Sequence, residues 1–240
     1  MKQLPLHPVL RWMRGFVPGS LHVTRRESLR ACVGALFGIA LTGILTTWAV
    51  GLGSDLPLLI APMGASAVLL FAAPASPLAQ PWALIGGNLI AGLVGVTCSL
   101  LIPHLVLACA VAVGVSIGLM LALRCLHPPS GAVALTAVLG GPAIHAAGYG
   151  FVLDPVLLNS VALLACALVY HALTRHRYPH VHARPAGPLR RDDLRQALEQ
   201  VLTERDELLD IDTEDLQDIL EQTLARTRHA HLLEPVPKAA

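Results

Sequence analysis

The chain has 240 residues, 54% of them hydrophobic and 14% charged, with a net charge of +1 and a mean hydropathy of +0.62. Soluble domains carry about a quarter charged residues, and a core of this size cannot bury so much apolar surface. A single water-soluble domain is therefore excluded, and the bilayer is the natural solvent.

Residues 1–28 read as a basic cytosolic segment, with Lys2, Arg11, Arg14, Arg25 and Arg26 against Glu27. No short apolar run followed by a small-residue cleavage site occurs there, so no cleaved signal peptide is expected. Membrane topology explains the basic excess, and no nucleic-acid partner is expected. Six apolar segments follow: Leu29 to Leu52, Leu56 to Ala73, Trp82 to Ile102, Leu105 to Leu123, Pro128 to Leu139 and Pro155 to Leu173. About 20 helical residues span the hydrocarbon. The first, third, fourth and sixth segments reach that length, and the second and fifth are short. Beyond a linker at 175–188, Leu194, Leu198, Val201 and Leu208 follow helical spacing, as do Leu216, Ile219, Leu220 and Leu224. With Asp212 as a helix cap, residues 189–233 read as an acidic cytosolic helical hairpin, and 234–240 as a disordered tail. The predicted fold is all-α, a polytopic membrane bundle over 29–174 with a cytosolic helical tail.

The two short segments share a pattern. Pro62-Met63-Gly64-Ala65 is followed by Pro74 and Asn88, and Pro129-Ser130-Gly131-Ala132 by Pro142 and Asn159. Paired, Pro/Gly-interrupted hydrophobic segments in two halves point to the substrate site of a transporter. Three segments per half give a 3+3 inverted repeat with two broken helices. Six crossings put the basic N-terminus, Arg124 and the Arg175/Arg177 pair inside, and Asp55, His104 and Asp154 outside. Four crossings, with the short segments re-entrant, would move Arg124 outside. Six is the expected number, with both termini cytoplasmic in a bacterial inner membrane. The uncharged loops Pro74 to Pro81 and Gly140 to Gly150 are expected to fold back on the bundle.

Gly34/Gly38, Gly87/Ala91/Gly95 and Gly114/Gly118 recur at spacing four, the mark of close helix packing. Cys32, Cys98, Cys109, Cys125 and Cys166 form no Cys-x-x-Cys pair and read as small hydrophobes. No metal site or cofactor is expected, and His145, His171, His176, His180 and His182 read as interface or linker residues. A closed homo-oligomer is the expected assembly.

The densest cluster of unusual residues is Arg124-Cys125-Leu126-His127-Pro128-Pro129-Ser130-Gly131-Ala132. Two prolines at a helix start leave the N–H groups of Ser130 and Gly131 free at a positive dipole end, which is an anion site. Pro62, Met63, Gly64, Ala65 and Ser66 form the mirrored half-site. Asn88 and Asn159, near the midplane, either glue helices or face the pathway. Arg124 is either a snorkelling anchor or a fixed charge that draws an anion in. His127 is either a helix-start hydrogen-bonder or a proton carrier.

The run from His127 to Leu135, with Ala61 to Leu69 upstream, resembles the HPP family of integral membrane proteins over about Arg26 to Tyr178. The resemblance assigns the family motif to His127, Pro128, Pro129, Ser130, Gly131 and Ala132. It implies a small polytopic protein, traditionally given four spans, and for some plastid and cyanobacterial members nitrite transport. Longer relatives carry paired CBS domains, for which this sequence has no room, so nucleotide regulation through them is not expected. Two functions are weighed: a transporter or channel for a small monovalent anion, and a membrane-anchored regulatory protein acting through its acidic tail. An enzyme is not expected, because no Ser-His-Asp order or paired carboxylate lies in the spans.

Overall fold

A computed structural model describes Phe16 and residues 23–50, 57 and 59–180. The chain divides into two units, Met1–Val23 with Pro185–Ala240, and Thr24–Arg184. The helical tail hairpin, the end of the linker, the disordered tail and most of the basic N-terminal segment fall outside the described residues.

Helix α1 (Arg25–Val50) starts where Thr24 Oγ1 accepts from Glu27 N at 3.2 Å. Proline occupies the first turn of α2 (Pro62–Ala72), of a short 3-10 turn (Pro77–Ala79) and of α3 (Pro81–Leu101). It does the same in α5 (Pro129–Leu139) and α6 (Pro142–Ala147). Its missing N–H costs nothing at that position and its fixed φ suits the helix. Between them, α4 (Leu105–Ala122) is capped by His104, whose Nδ1 accepts from Leu107 N at 3.3 Å. The last crossing opens with a wide turn, Val152–Leu157, broken at Asp154, and continues as α7 (Leu158–Leu173). The described residues contain no strand.

Four helical stretches are long and apolar enough to cross a membrane: Arg25–Ala49, Pro81–Leu101, Leu105–Ala122 and Val152–Leu173. With 11 residues each, α2 and α5 reach only about 16 Å, roughly half the hydrocarbon thickness. The six segments expected from sequence therefore appear as four long helices and two short ones. The second loses its first residues, since helix begins only at Pro62.

Hydrogen bonds fix the direction of each element. Tyr170 Oη donates to Arg30 O at 2.8 Å, and Asn159 Nδ2 donates to Thr46 Oγ1 at 3.0 Å, so α1 and α7 are antiparallel. Trp82 Nε1 reaches Leu123 O at 3.0 Å, so α3 and α4 are antiparallel too. Ile60, ahead of α2, bonds Asn159, while Leu70 near its end bonds His171. A Cβ on Gly87 would touch His127 and Ser130, and one on Gly95 would touch Ala134 and Ala137, so α5 runs parallel to α3. The start of α1, the end of α2, the start of α3 and the ends of α4 and α7 consequently share one end of the bundle. All the described arginines, Arg25, Arg26, Arg30, Arg124, Arg175 and Arg177, belong to that end, and His104 and Asp154 to the other.

Helices α3 and α7 are central and α1 and α4 peripheral: half of each central span is buried, against 22% of each outer one. Small residues permit the approach. Gly34 and Gly38 lie under Phe71, and Gly87 and Gly95 under the α5 segment, whereas Gly114 and Gly118 face open space. The 74–81 loop folds back as expected, with Pro74, Ala75, Ser76 and Ala79 buried. Burial pushes the Tyr178 phenol well above its usual range, and its hydroxyl donates to Ala79 O at 2.9 Å.

Candidate functional site

After α4 the chain turns back through Arg124, whose φ of 55° is left-handed, and Cys125 N closes the turn on Met120 O at 2.9 Å. Because Gly87 has no side chain, the following residues enter the bundle: a Cβ there would lie 2.8 Å from both His127 Cβ and Ser130 Oγ. His127 is thereby fully buried. Its Nδ1 lies 2.8 Å from Leu78 O, and its Nε2 2.9 Å from Ser66 Oγ. A carbonyl can only accept, so Nδ1 carries the proton; in the neutral ring Nε2 then accepts from the Ser66 hydroxyl, which also lies 3.3 Å from Pro62 O.

A second set of bonds joins the starts of the two short helices. Ser130 Oγ, in the first turn of α5, donates to Asn88 Oδ1 at 2.7 Å, and Asn88 Nδ2 donates to Ser160 Oγ at 2.9 Å. The neighbouring Asn159 accepts on Oδ1 from Ile60 N, just before α2, at 3.0 Å, and donates to Thr46. Each asparagine therefore follows one short helix in sequence and holds the start of the other. Thr46, Ser66, Asn88, His127, Ser130, Asn159 and Ser160 are all fully buried. They form a belt of neutral polar groups, rich in hydroxyl and amide donors and free of carboxylate, each bonded to another part of the protein.

Of the residues named from sequence, the structure brings together Ser66, Asn88, His127, Ser130 and Asn159, with Pro62, Met63 and Pro129 buried beside them. It does not bring in the rest. Gly64, Ala65, Pro128 and Ala132 are exposed on the isolated chain, Gly131 is half-buried, and a Cβ at Gly64 or Gly131 meets nothing within 4 Å. Arg124 is exposed at the end of the bundle rather than at the belt.

The expectation of free amides is corrected. Met63 N and Gly64 N donate to Ile60 O and Ala61 O, both at 3.0 Å, and Ser130 N and Gly131 N to His127 O and Pro128 O at 2.9 and 3.1 Å. The residues just before each proline are themselves helical, Ala61 at φ −53° and Pro128 at φ −53°. The first turn therefore reaches back to carbonyls outside the helix and uses up its donors.

Sequence reasoning missed Thr46, Ser160 and the Leu78 carbonyl. Ser160 was signalled only by its place beside Asn159, and Leu78 by nothing, since a backbone acceptor has no sequence mark. His171 is also corrected from an interface residue to a fully buried one. Its Nε2 donates to Leu70 O at 2.9 Å, and its Nδ1 accepts from Arg30 at 3.3 Å. Arg30 also binds Glu27 and donates to Phe71 O at 3.2 Å.

The family model described as HPP, transmembrane region, matches residues 20–179. Two transmembrane proteins of Dictyostelium discoideum are similar to the chain. One is 38% identical over 133 residues, covering 53% of this chain and 46% of the relative; the other is 37% identical over 129 residues, covering 50% and 40%. The chain spans less than half the length of these curated relatives. No solved structure matches it.

Proposed function

The chain belongs to the HPP family of membrane proteins, and from that premise we propose that it is a six-pass transporter or channel for a small monovalent anion, with nitrite the first substrate to test. The observation that carries this reading is the exchange of asparagines between the two short helices, Asn88 to Ser130 and Asn159 to Ile60. Two broken helices in corresponding positions, each tied to the helix that follows the other, are what a 3+3 inverted repeat requires. The neighbours correspond too: α1 packs on α2 and α7, as α4 packs on α5 and α3.

The chemistry of the belt favours an anion over a cation. It offers serine hydroxyls and asparagine amides as donors and has no carboxylate to pair with a cation. A multiply charged solute would need fixed counter-charges inside, because desolvating it is too costly otherwise. The backbone amides of α2 and α5 are already bonded, so the solute replaces side-chain hydrogen bonds within the belt, and passage requires the seam between the two halves to part. The mechanism this reading calls for is alternating access between the two halves.

The experiment is uptake by the purified full-length protein in liposomes. Nitrite should enter faster than into empty vesicles, and Asn88→Ala and Asn159→Ala should each abolish the flux while the protein still inserts. No flux above empty vesicles for nitrite, nitrate, formate or chloride overturns the reading.

A further inference from the structure

We propose that the arginine-bearing end of the bundle is a docking surface for anionic phospholipid headgroups, with Arg124 and Arg175 as its principal contacts. Among the described residues these two are the non-glycine positions with left-handed φ, 55° and 56°. Each closes a long helix in the same way. Arg124 N donates to Leu121 O at 3.2 Å and Cys125 N to Met120 O at 2.9 Å; Arg175 N donates to Ala172 O at 3.3 Å and His176 N to His171 O at 2.9 Å. Glycine is the residue such a closing turn takes without strain, and a side chain there is strained. The backbone gives no reason for arginine at either place, so the reason lies in the side chain.

Both side chains are exposed, as are those of Arg25, Arg26 and Arg177 at the same end. Among the described residues the acid at that end, Glu27, is bonded to Arg30 and so does not neutralise the exposed group. Trp82 marks the level of this face: its indole Nε1 donates to Leu123 O, next to Arg124, while the residue stays 57% exposed. An indole half in protein and half outside is the arrangement found at the lipid–water boundary. Arginine beside it stands where phosphodiester oxygens lie and can bind them with two parallel N–H groups. A cation at a helix C-terminus also meets the helix dipole, but that benefit does not depend on the lipid and is separable by experiment.

The test follows the thermal unfolding midpoint of the full-length protein in neutral detergent with added dioleoylphosphatidylglycerol, dioleoylphosphatidylcholine or inorganic phosphate. Phosphatidylglycerol should raise the midpoint, and the other two should not. In the variant Arg124→Gly with Arg175→Gly, which removes the strain, the apparent affinity for phosphatidylglycerol should fall about 30-fold, roughly fivefold for each arginine. Equal effects of the two lipids, an undiminished response in the double variant, or full reproduction by inorganic phosphate each overturns the proposal. Should the double variant not fold, quenching by brominated phosphatidylglycerol decides, in a protein whose Trp12 and Trp48 are replaced by Phe. Trp82 should then be quenched more strongly than by brominated phosphatidylcholine, and equal quenching refutes the idea.

Discussion

His127 Nε2 lies 2.9 Å from Ser66 Oγ, a buried bond that ties α2 to the segment just ahead of α5, between residues 61 apart in sequence. The same ring donates to Leu78 O from Nδ1, so one imidazole holds a helix of each half and the loop between α2 and α3. Replacing His127 by Ala leaves the half-buried Leu78 carbonyl without its donor and opens a cavity. The expected loss is about 3 kcal/mol or more. Ser66→Ala removes the Nε2 donor and the longer contact to Pro62 O at 3.3 Å but leaves the Leu78 bond, and should cost about 1–3 kcal/mol. Thermal or denaturant unfolding in detergent orders the two variants; equal losses would show that the Leu78 contact contributes little.

Glycine substitutions should separate packing positions from outward ones. A methyl at Gly87 would meet His127 Cβ and Ser130 Oγ at 2.8 Å, and Gly87→Ala should destabilise by about 1–3 kcal/mol through forced displacement of the α5 start. Gly64 and Gly131 have nothing within 4 Å of an added Cβ, and neither has a left-handed φ. Gly64→Ala and Gly131→Ala should therefore be neutral or stabilise by up to about 1 kcal/mol. Unfolding midpoints of the three variants, measured side by side, check the contrast.

Single-cysteine labelling decides the number of crossings. In a background lacking Cys32, Cys98, Cys109, Cys125 and Cys166, probes at Arg124→Cys and Arg177→Cys should react with a membrane-impermeant maleimide from one side. His104→Cys should react from the opposite side. Six passes require this pattern; four would separate Arg124 from Arg177, and that outcome would sink the inverted-repeat reading.

Much of the architecture was legible in the sequence because membrane helices are written in composition. Charge-free runs, proline at helix starts and arginine at one set of ends mark the segments from Arg25 to Leu173 to within about four residues, except the second, whose helix begins only at Pro62 rather than near Leu56. The local prediction at the site failed for a definite reason. Ser130 and Gly131 read as free donors because the first N–H groups of a helix lack partners within the helix. Ala61 and Pro128 are themselves helical, and so the amides find carbonyls one turn back. The partners of Asn88 and Asn159 lie across the bundle, at Ser130, Ser160, Ile60 and Thr46, and no local pattern records such distant pairings. Ser116 illustrates the same limit: its position in α4 is plain from sequence, but not that its buried hydroxyl lacks a hydrogen-bond partner among the described residues.

The contact of α1 with α7 sets an order on biogenesis. Arg30, made early, finds His171 and Tyr170 only after 141 and 140 more residues have emerged, and Thr46 must wait similarly for Asn159. Until the last helix leaves the translocon, the first presents its polar face to whatever surrounds it. Nascent chains stopped before Leu158 therefore lack the closing piece, and in them Thr42 and Thr46 keep only the hydrogen bonds to carbonyls of their own helix.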